Sequence, residues 1–130
     1  MITSLNRKNE HHDNICEELL RERAVVLSRA GMAVSDAIEL LTRLDRQIKE
    51  KTSFLKVLNR DENIQNVEQN IQTIREEINL IIEQFNAACR KAQLQYYYLI
   101  VTREALGLRR HDRVSEIYKI PAEKEKIRVI

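Results

Sequence analysis

The chain has 130 residues and a formal net charge of +2, from 22 Lys and Arg against 20 Asp and Glu. It holds 2 Gly, 1 Pro and no Trp, which argues against sandwiches, barrels and other turn-rich folds, because hairpin turns and positive-φ positions call for Gly. Charged residues make up 32% and hydrophobic ones 43%, the balance of long amphipathic helices, and a charge this close to zero gives no case for nucleic acid as a partner.

No apolar run is long enough to span a bilayer. The start, Met1-Ile2-Thr3-Ser4-Leu5-Asn6-Arg7, has no apolar core segment of the signal-peptide kind. Two cysteines, Cys16 and Cys89, do not make a disulfide framework. These features together point to the reducing cytoplasm.

In the first half, Ile15, Leu19, Val26, Ala30, Ala33, Ala37, Leu40, Leu44, Ile48, Leu55 and Leu58 recur at helical spacing. The pattern predicts a helix from about residue 10 to 58. Gly31 falls inside it, and Ser35-Asp36 with Glu39 offers a place for the helix to restart. A glycine within a helix costs only about 1 kcal/mol relative to Ala, so continuity with a kink is the favoured reading over a break near Gly31. Asn59-Arg60-Asp61-Glu62-Asn63 then reads as a turn, with Asp61 capping the second helix.

The second half carries the clearest pattern. Ile64, Ile71, Ile78, Phe85, Ala92, Leu99 and Leu106 form one seam at steps of seven, and Val67, Ile74, Ile81 and Ala88 form its partner, which turns polar at Gln95 and Thr102. One helix of roughly 45 residues, some 65–70 Å long, results at 1.5 Å per residue. Gly107 is the candidate left-handed stop. Beyond it, residues 108–130 read as a basic, partly mobile tail, in which Pro121 disfavours helix at Ile120 and Ile127 to Ile130 suit an extended segment.

The expected fold is therefore all-α: a long antiparallel helical hairpin over residues 1–107, coiled-coil-like, with dimerisation as one way to complete a bundle. A turn centred at residue 60 brings together residues whose numbers sum to about 120, given antiparallel neighbours on a short loop. Ala30, Gly31 and Ala33 would then meet Ala87, Ala88 and Cys89, and Leu19 and Leu20 would meet Ile100 and Val101. Several apolar residues stay outside the seam: Leu41, Leu80, Ile82, Leu94, Tyr98, Val101, Ala105 and Leu108. An apolar face this wide expects more than one neighbour.

Catalytic patterns are lacking: there is no phosphate-binding glycine loop, nucleophile elbow or His-Glu-x-x-His. His11, His12, Asp13 and Cys16 carry ligand atoms, and the register would bring His111 and Asp112 to the same end. An ordinary polar helix start explains them better than a metal site, and no cofactor is expected. Tyr96-Tyr97-Tyr98 would stack on bases in a nucleic-acid protein; with weak net charge, one ring in the core and two on the surface is the preferred account. Cys89 fits a small buried apolar position.

Glu18-Leu19-Leu20-Arg21-Glu22-Arg23-Ala24-Val25-Val26-Leu27, and Ile74-Arg75-Glu76-Glu77-Ile78 through Asn86 to Tyr96-Tyr97-Tyr98, resemble stretches of the flagellar type III export chaperones of the FlgN and FliT type, over about two-thirds of the chain. The resemblance implies a non-catalytic chaperone that binds the helical terminus of a client through the apolar face of its final helix. The second helix here is longer and more strictly heptad than that family's pattern, and the Arg-rich tail has no counterpart in it. From the residues themselves, the expected function is protein binding, by partner-helix recognition on Leu94, Tyr97, Tyr98, Val101, Ala105 and Leu108. The expected partner is a protein client. The alternative is a second copy of the chain in a homodimer, giving a homo-oligomeric coiled-coil scaffold.

Overall fold

A computed structural model describes residues 2–60 and 67–128, with side chains placed from Arg7 to Arg60 and from Glu68 to Arg128. Three helices succeed one another: α1 (Ile2–Arg60), α2 (Val67–Ala105) and the short α3 (Asp112–Ile117). No strand is present among the described residues. The all-α hairpin expected from the sequence is the observed fold, with α1 packed along α2.

α1 runs unbroken through Gly31 and Ser35-Asp36, so the favoured continuity holds and the alternative restart does not occur. The helix is longer than its apolar pattern, because residues 2–9 are helical as well and Asn59 and Arg60 extend it into the expected turn. Asp61 and Ile64, read as cap and first seam residue of the second helix, lie outside the described residues.

The heptad seam is the core. Ile78, Phe85, Ala92 and Leu99, each seven apart, are 1%, 1%, 0% and 3% exposed. Ala37, Leu41, Leu44, Ile48 and Leu55 of α1 close over the larger of two clusters. The smaller cluster joins Val34, Leu99 and Val114, with Leu27, Ala30, Tyr96 and Tyr118 packed around it. Lys51 and Glu77 tie the two helices across the surface at 2.8 Å.

That ion pair also corrects the register. The two residue numbers sum to 128 rather than 120, because the helices are joined through residues 61–66 and the fold point lies beyond residue 60. Ala88, Cys89 and Ala92 therefore share a cluster with Ala37 and Leu41, while Ala30 packs near Leu99 and Gly31 lies against the hydroxyl of Tyr118. Leu19 and Leu20 are 51% and 65% exposed and do not meet Ile100 and Val101.

α2 ends as Gly107 predicts. Its φ is +86°, and two bonds complete the left-handed stop: Leu108 N–H donates to the Arg103 carbonyl at 2.9 Å and Gly107 N–H to that of Glu104 at 3.0 Å. The chain reverses there, packs Val114 of α3 against Val34 and Leu99, and runs back along the hairpin. Leu41 and Ile82, apolar residues outside the heptad seam, are 2% and 3% exposed in that packed body. No helix among the described residues is long and apolar enough to cross a membrane.

Candidate functional site

Two surfaces of this fold carry features that packing alone does not account for. The first is an unaccompanied arm. α2 ends at Ala105, level with about Arg23 of α1 in the register of the Lys51–Glu77 pair. From Arg7 to Val26 every residue of α1 is exposed, a single helix about 30 Å long at 1.5 Å per residue. Ile15, Leu19, Leu20, Val25 and Val26 present apolar side chains there, 42–65% exposed. An isolated helix of this length is marginal in water, and most helical stability comes from packing an apolar face.

The residues singled out on α2 lie on one stripe. Leu94, Tyr97, Tyr98, Val101 and Ala105 follow helical steps of three and four, and all are exposed, as is Leu108 beyond the stop. Tyr97 and Tyr98 are 61% and 50% exposed, with ring centroids 6.1 Å apart and planes tilted by 53°. Tyr96 packs against the smaller core cluster, so one ring is inside and two are outside.

The second surface lies between the hairpin and its own tail, where the sequence alone suggests a basic, partly mobile end with an extended segment from Ile127 to Ile130. Residues 118–128 form an extended strap along α2. Asn86 grips residue 124 by its backbone: its Nδ2 donates to the Lys124 carbonyl at 2.9 Å, and Lys124 N–H donates to its Oδ1 at 2.8 Å. Asn79 holds Ile127 in the same way, at 2.9 and 2.8 Å. Seven residues of helix rise about 10.5 Å, and three residues of extended chain span about 10 Å, so two asparagines seven apart match two backbone positions three apart. In the sequence the two asparagines share a helix face, with Ile82 between them, and Asn86 alone figures in the chaperone-like stretch; nothing there marks either as a backbone clamp.

Side chains add to the clamp. Lys124 pairs with Asp45 at 2.9 Å and sits 5.0 Å from the centre of the Phe85 ring. Glu123 pairs with Arg90, and Lys126 with Glu83. Ile120 packs on the main core. The Cys89 thiol lies 3.6 Å from the Pro121 carbonyl, its acceptor; burial pushes this thiol up from its ordinary pKa. Hydrogen bonding to Lys124, then to Lys49, holds the Asp45 carboxyl below the usual carboxylate range. A cavity of about 210 Å³ remains beneath the strap, lined by Ile38, Leu41, Thr42, Asp45, Phe85, Lys119, Pro121 and Lys124.

The histidines do not converge. His12 Nε2 lies 3.8 Å from Cys16 Sγ on the exposed arm. His111 accepts from Arg103 Nε at Nδ1 and meets Glu104 through Nε2, both at 3.2 Å, so it is not part of the His11–Cys16 end, as a fold point at residue 60 would make it. Among the described residues no three His, Cys, Asp or Glu gather as a metal site. Cys16 and Cys89 are both free thiols. Comparison with known proteins brought no relative to this geometry: no family model, no curated protein and no solved structure matches the chain.

Proposed function

We propose that this chain is a non-catalytic, cytoplasmic protein-binding module that takes a helix of a client protein onto its exposed apolar surface. The observation that carries the reading is the exposed arm from Arg7 to Val26, whose Ile15 and Leu19 continue the helical stripe of α1 past the end of its long neighbour α2, with exposed Val26 at its root. A helix laid beside the arm would bury that stripe and supply the packing a lone helix lacks. Leu94, Tyr97, Tyr98 and Val101 offer a second apolar strip on α2. An export chaperone, which shields a client's helical segment before assembly, is a role that this surface suits.

The second reading is self-association, favoured by the charge order of the arm. Glu17 and Glu18 precede Arg21 and Arg23 around Leu19-Leu20. Two arms crossing antiparallel at that point set acidic residues of one copy against basic residues of the other, an isologous contact. Light scattering combined with a photo-crosslinker at position 19 separates the readings. Adducts with one other protein in the native host, on a monomeric chain, support the client. Adducts only between copies, on a dimeric chain, support the scaffold. Crosslinking no stronger than from a label at the exposed, polar Lys49 removes the arm from either role.

A further inference from the structure

We propose that the channel floored by Phe85 and gripped by Asn79 and Asn86 is a binding site for an extended polypeptide segment of a partner protein. On this view the chain's own residues 118–128 are its resident and displaceable occupant. The site is distinct from the arm and does not rest on helix recognition there.

Each asparagine satisfies both the N–H and the carbonyl of one residue of the strap. That is the bond exchange of an antiparallel strand pair, supplied by side chains of a helix. The grip reads backbone, so it selects extended conformation rather than sequence. Three further contacts set the chemistry of the occupant. An apolar residue is wanted where Ile120 meets the core. A basic residue is wanted four positions later, where Lys124 lies between Asp45 and the face of Phe85. A second basic residue fits opposite Glu83, as Lys126 does. The segment is therefore extended, apolar near its start and basic further along.

Two observations mark the resident as replaceable. Residues 121–123 and 125–128 are exposed although they are held, and exposed ion pairs such as Arg90–Glu123 contribute little to stability. The cavity of about 210 Å³ between strap and hairpin is bounded by Pro121 and Lys119 above and by Leu41 and Phe85 below. A segment with a larger apolar side chain at the position of Pro121 would fill apolar space that the resident leaves open.

The test uses the full chain with its strap released. Lys124→Pro with Ile127→Pro removes the two N–H donors that the asparagines accept and leaves α1 and α2 untouched. A fluorescent peptide of residues 118–128 is the probe, read by anisotropy. The released chain should bind it at least tenfold more tightly than wild type, in which the tethered strap competes at high effective concentration. Asn79→Ala with Asn86→Ala in the released chain should weaken binding at least tenfold, and a probe carrying proline at the same two positions should not bind. Should the proline variant lose its helical circular dichroism, Lys124→Glu with Lys126→Glu releases the strap by charge reversal instead. No binding to a folded, released chain overturns the proposal, as does binding indifferent to Asn79 and Asn86. A wild-type dimer that becomes monomeric on strap release also overturns it, since the occupant would then be the strap of a second copy.

Discussion

Asn86 and Lys124 are 38 positions apart in sequence, yet they exchange two hydrogen bonds as neighbouring strands do. The pair converts one half-buried amide on a helix into a latch for the end of the chain. Losing one partner leaves the Lys124 N–H and carbonyl without their protein partners, at a cost of about 1–3 kcal/mol where such groups stay shielded from water. Asn86→Ala should therefore raise hydrogen exchange at the Lys124 amide roughly 10–100-fold, at about 1.4 kcal/mol per tenfold. Exchange in the middle of α1, around Leu41 and Leu44, should be unchanged. Equal loss of protection in both places would show that strap and hairpin open as one unit.

The strap should also loosen in acid. Hydrogen bonds from Lys124 and Lys49 hold the Asp45 pKa below its value in an unfolded chain. A group with a lowered folded pKa contributes stability that is present above the unfolded value, about 3.9, and is lost as pH falls through the folded one. Between pH 7 and 5 the docking of Lys124 should be constant; below about 4 it should weaken. Asp45→Asn should abolish that acid-dependent step. Exchange at residues 124–127, followed against pH, reads it. An identical acid transition in Asp45→Asn would assign it to another carboxylate.

The hairpin is legible in the sequence because its signal is periodic. Ile78, Phe85, Ala92 and Leu99 repeat at seven and all are buried, and Gly107 stops the helix by a backbone state that only glycine adopts freely. The register is not legible, because two apolar-periodic helices match at several offsets and the sequence does not state where the chain turns. The accidental alignment of Ala30-Gly31 with Ala88-Cys89 illustrates this; the glycine is in fact beside Tyr118. The strap escapes sequence reading for a different reason. Asn79 and Asn86 look like solvated positions, and what identifies them is a partner segment 48 and 38 positions away, without periodicity of its own. Leu41 and Ile82, by contrast, are visible as surplus apolar residues, and the packed body buries both.

Gly31 gives a prediction in which two effects compete. A Cβ there would stand 3.1 Å from the Tyr118 hydroxyl, slightly too close, so the ring must yield by a few tenths of an ångström. It has room, since an open cavity of about 440 Å³ adjoins Gly31, Met32 and Tyr118. Against this, Ala gains about 1 kcal/mol over Gly within a helix. Gly31→Ala should therefore raise the unfolding midpoint modestly, by less than that full amount. Gly31→Leu should instead expel the Tyr118 ring and expose the edge of the smaller core. Urea unfolding with tyrosine fluorescence as the probe distinguishes them; a destabilised Gly31→Ala would mean that the ring is held in place.

Gly107 offers a cleaner case, because no atom lies within 4 Å of a Cβ built there. Only its backbone conformation matters. At φ +86° an L-residue pays roughly 1–2 kcal/mol, less for Asn, whose short polar side chain tolerates the left-handed region. Gly107→Ala should lower stability by about that much and Gly107→Asn by less, as read by urea unfolding. Because the reversal after α2 aims the strap, the Ala variant should also weaken protection at Lys124 and Ile127, which lie 17 and 20 residues downstream.

Phe85 joins the two levels of the structure, packing at 1% exposure in the hairpin core while its ring carries Lys124 of the strap. Phe85→Ala removes a buried ring, and such truncations cost about 3–5 kcal/mol. Phe85→Leu keeps most of the volume, at a cost below about 1.5 kcal/mol for a well-tolerated hydrophobic swap, but removes the π face beneath the ammonium. An exposed cation–π contact contributes about 0.5–1 kcal/mol. The expected result is that Phe85→Ala lowers the urea midpoint of the whole molecule, while Phe85→Leu lowers that midpoint much less and raises exchange at Lys124 severalfold. If Phe85→Leu left the Lys124 amide unchanged, the Asp45 pair and the Asn86 latch alone would account for how the end of the chain is held.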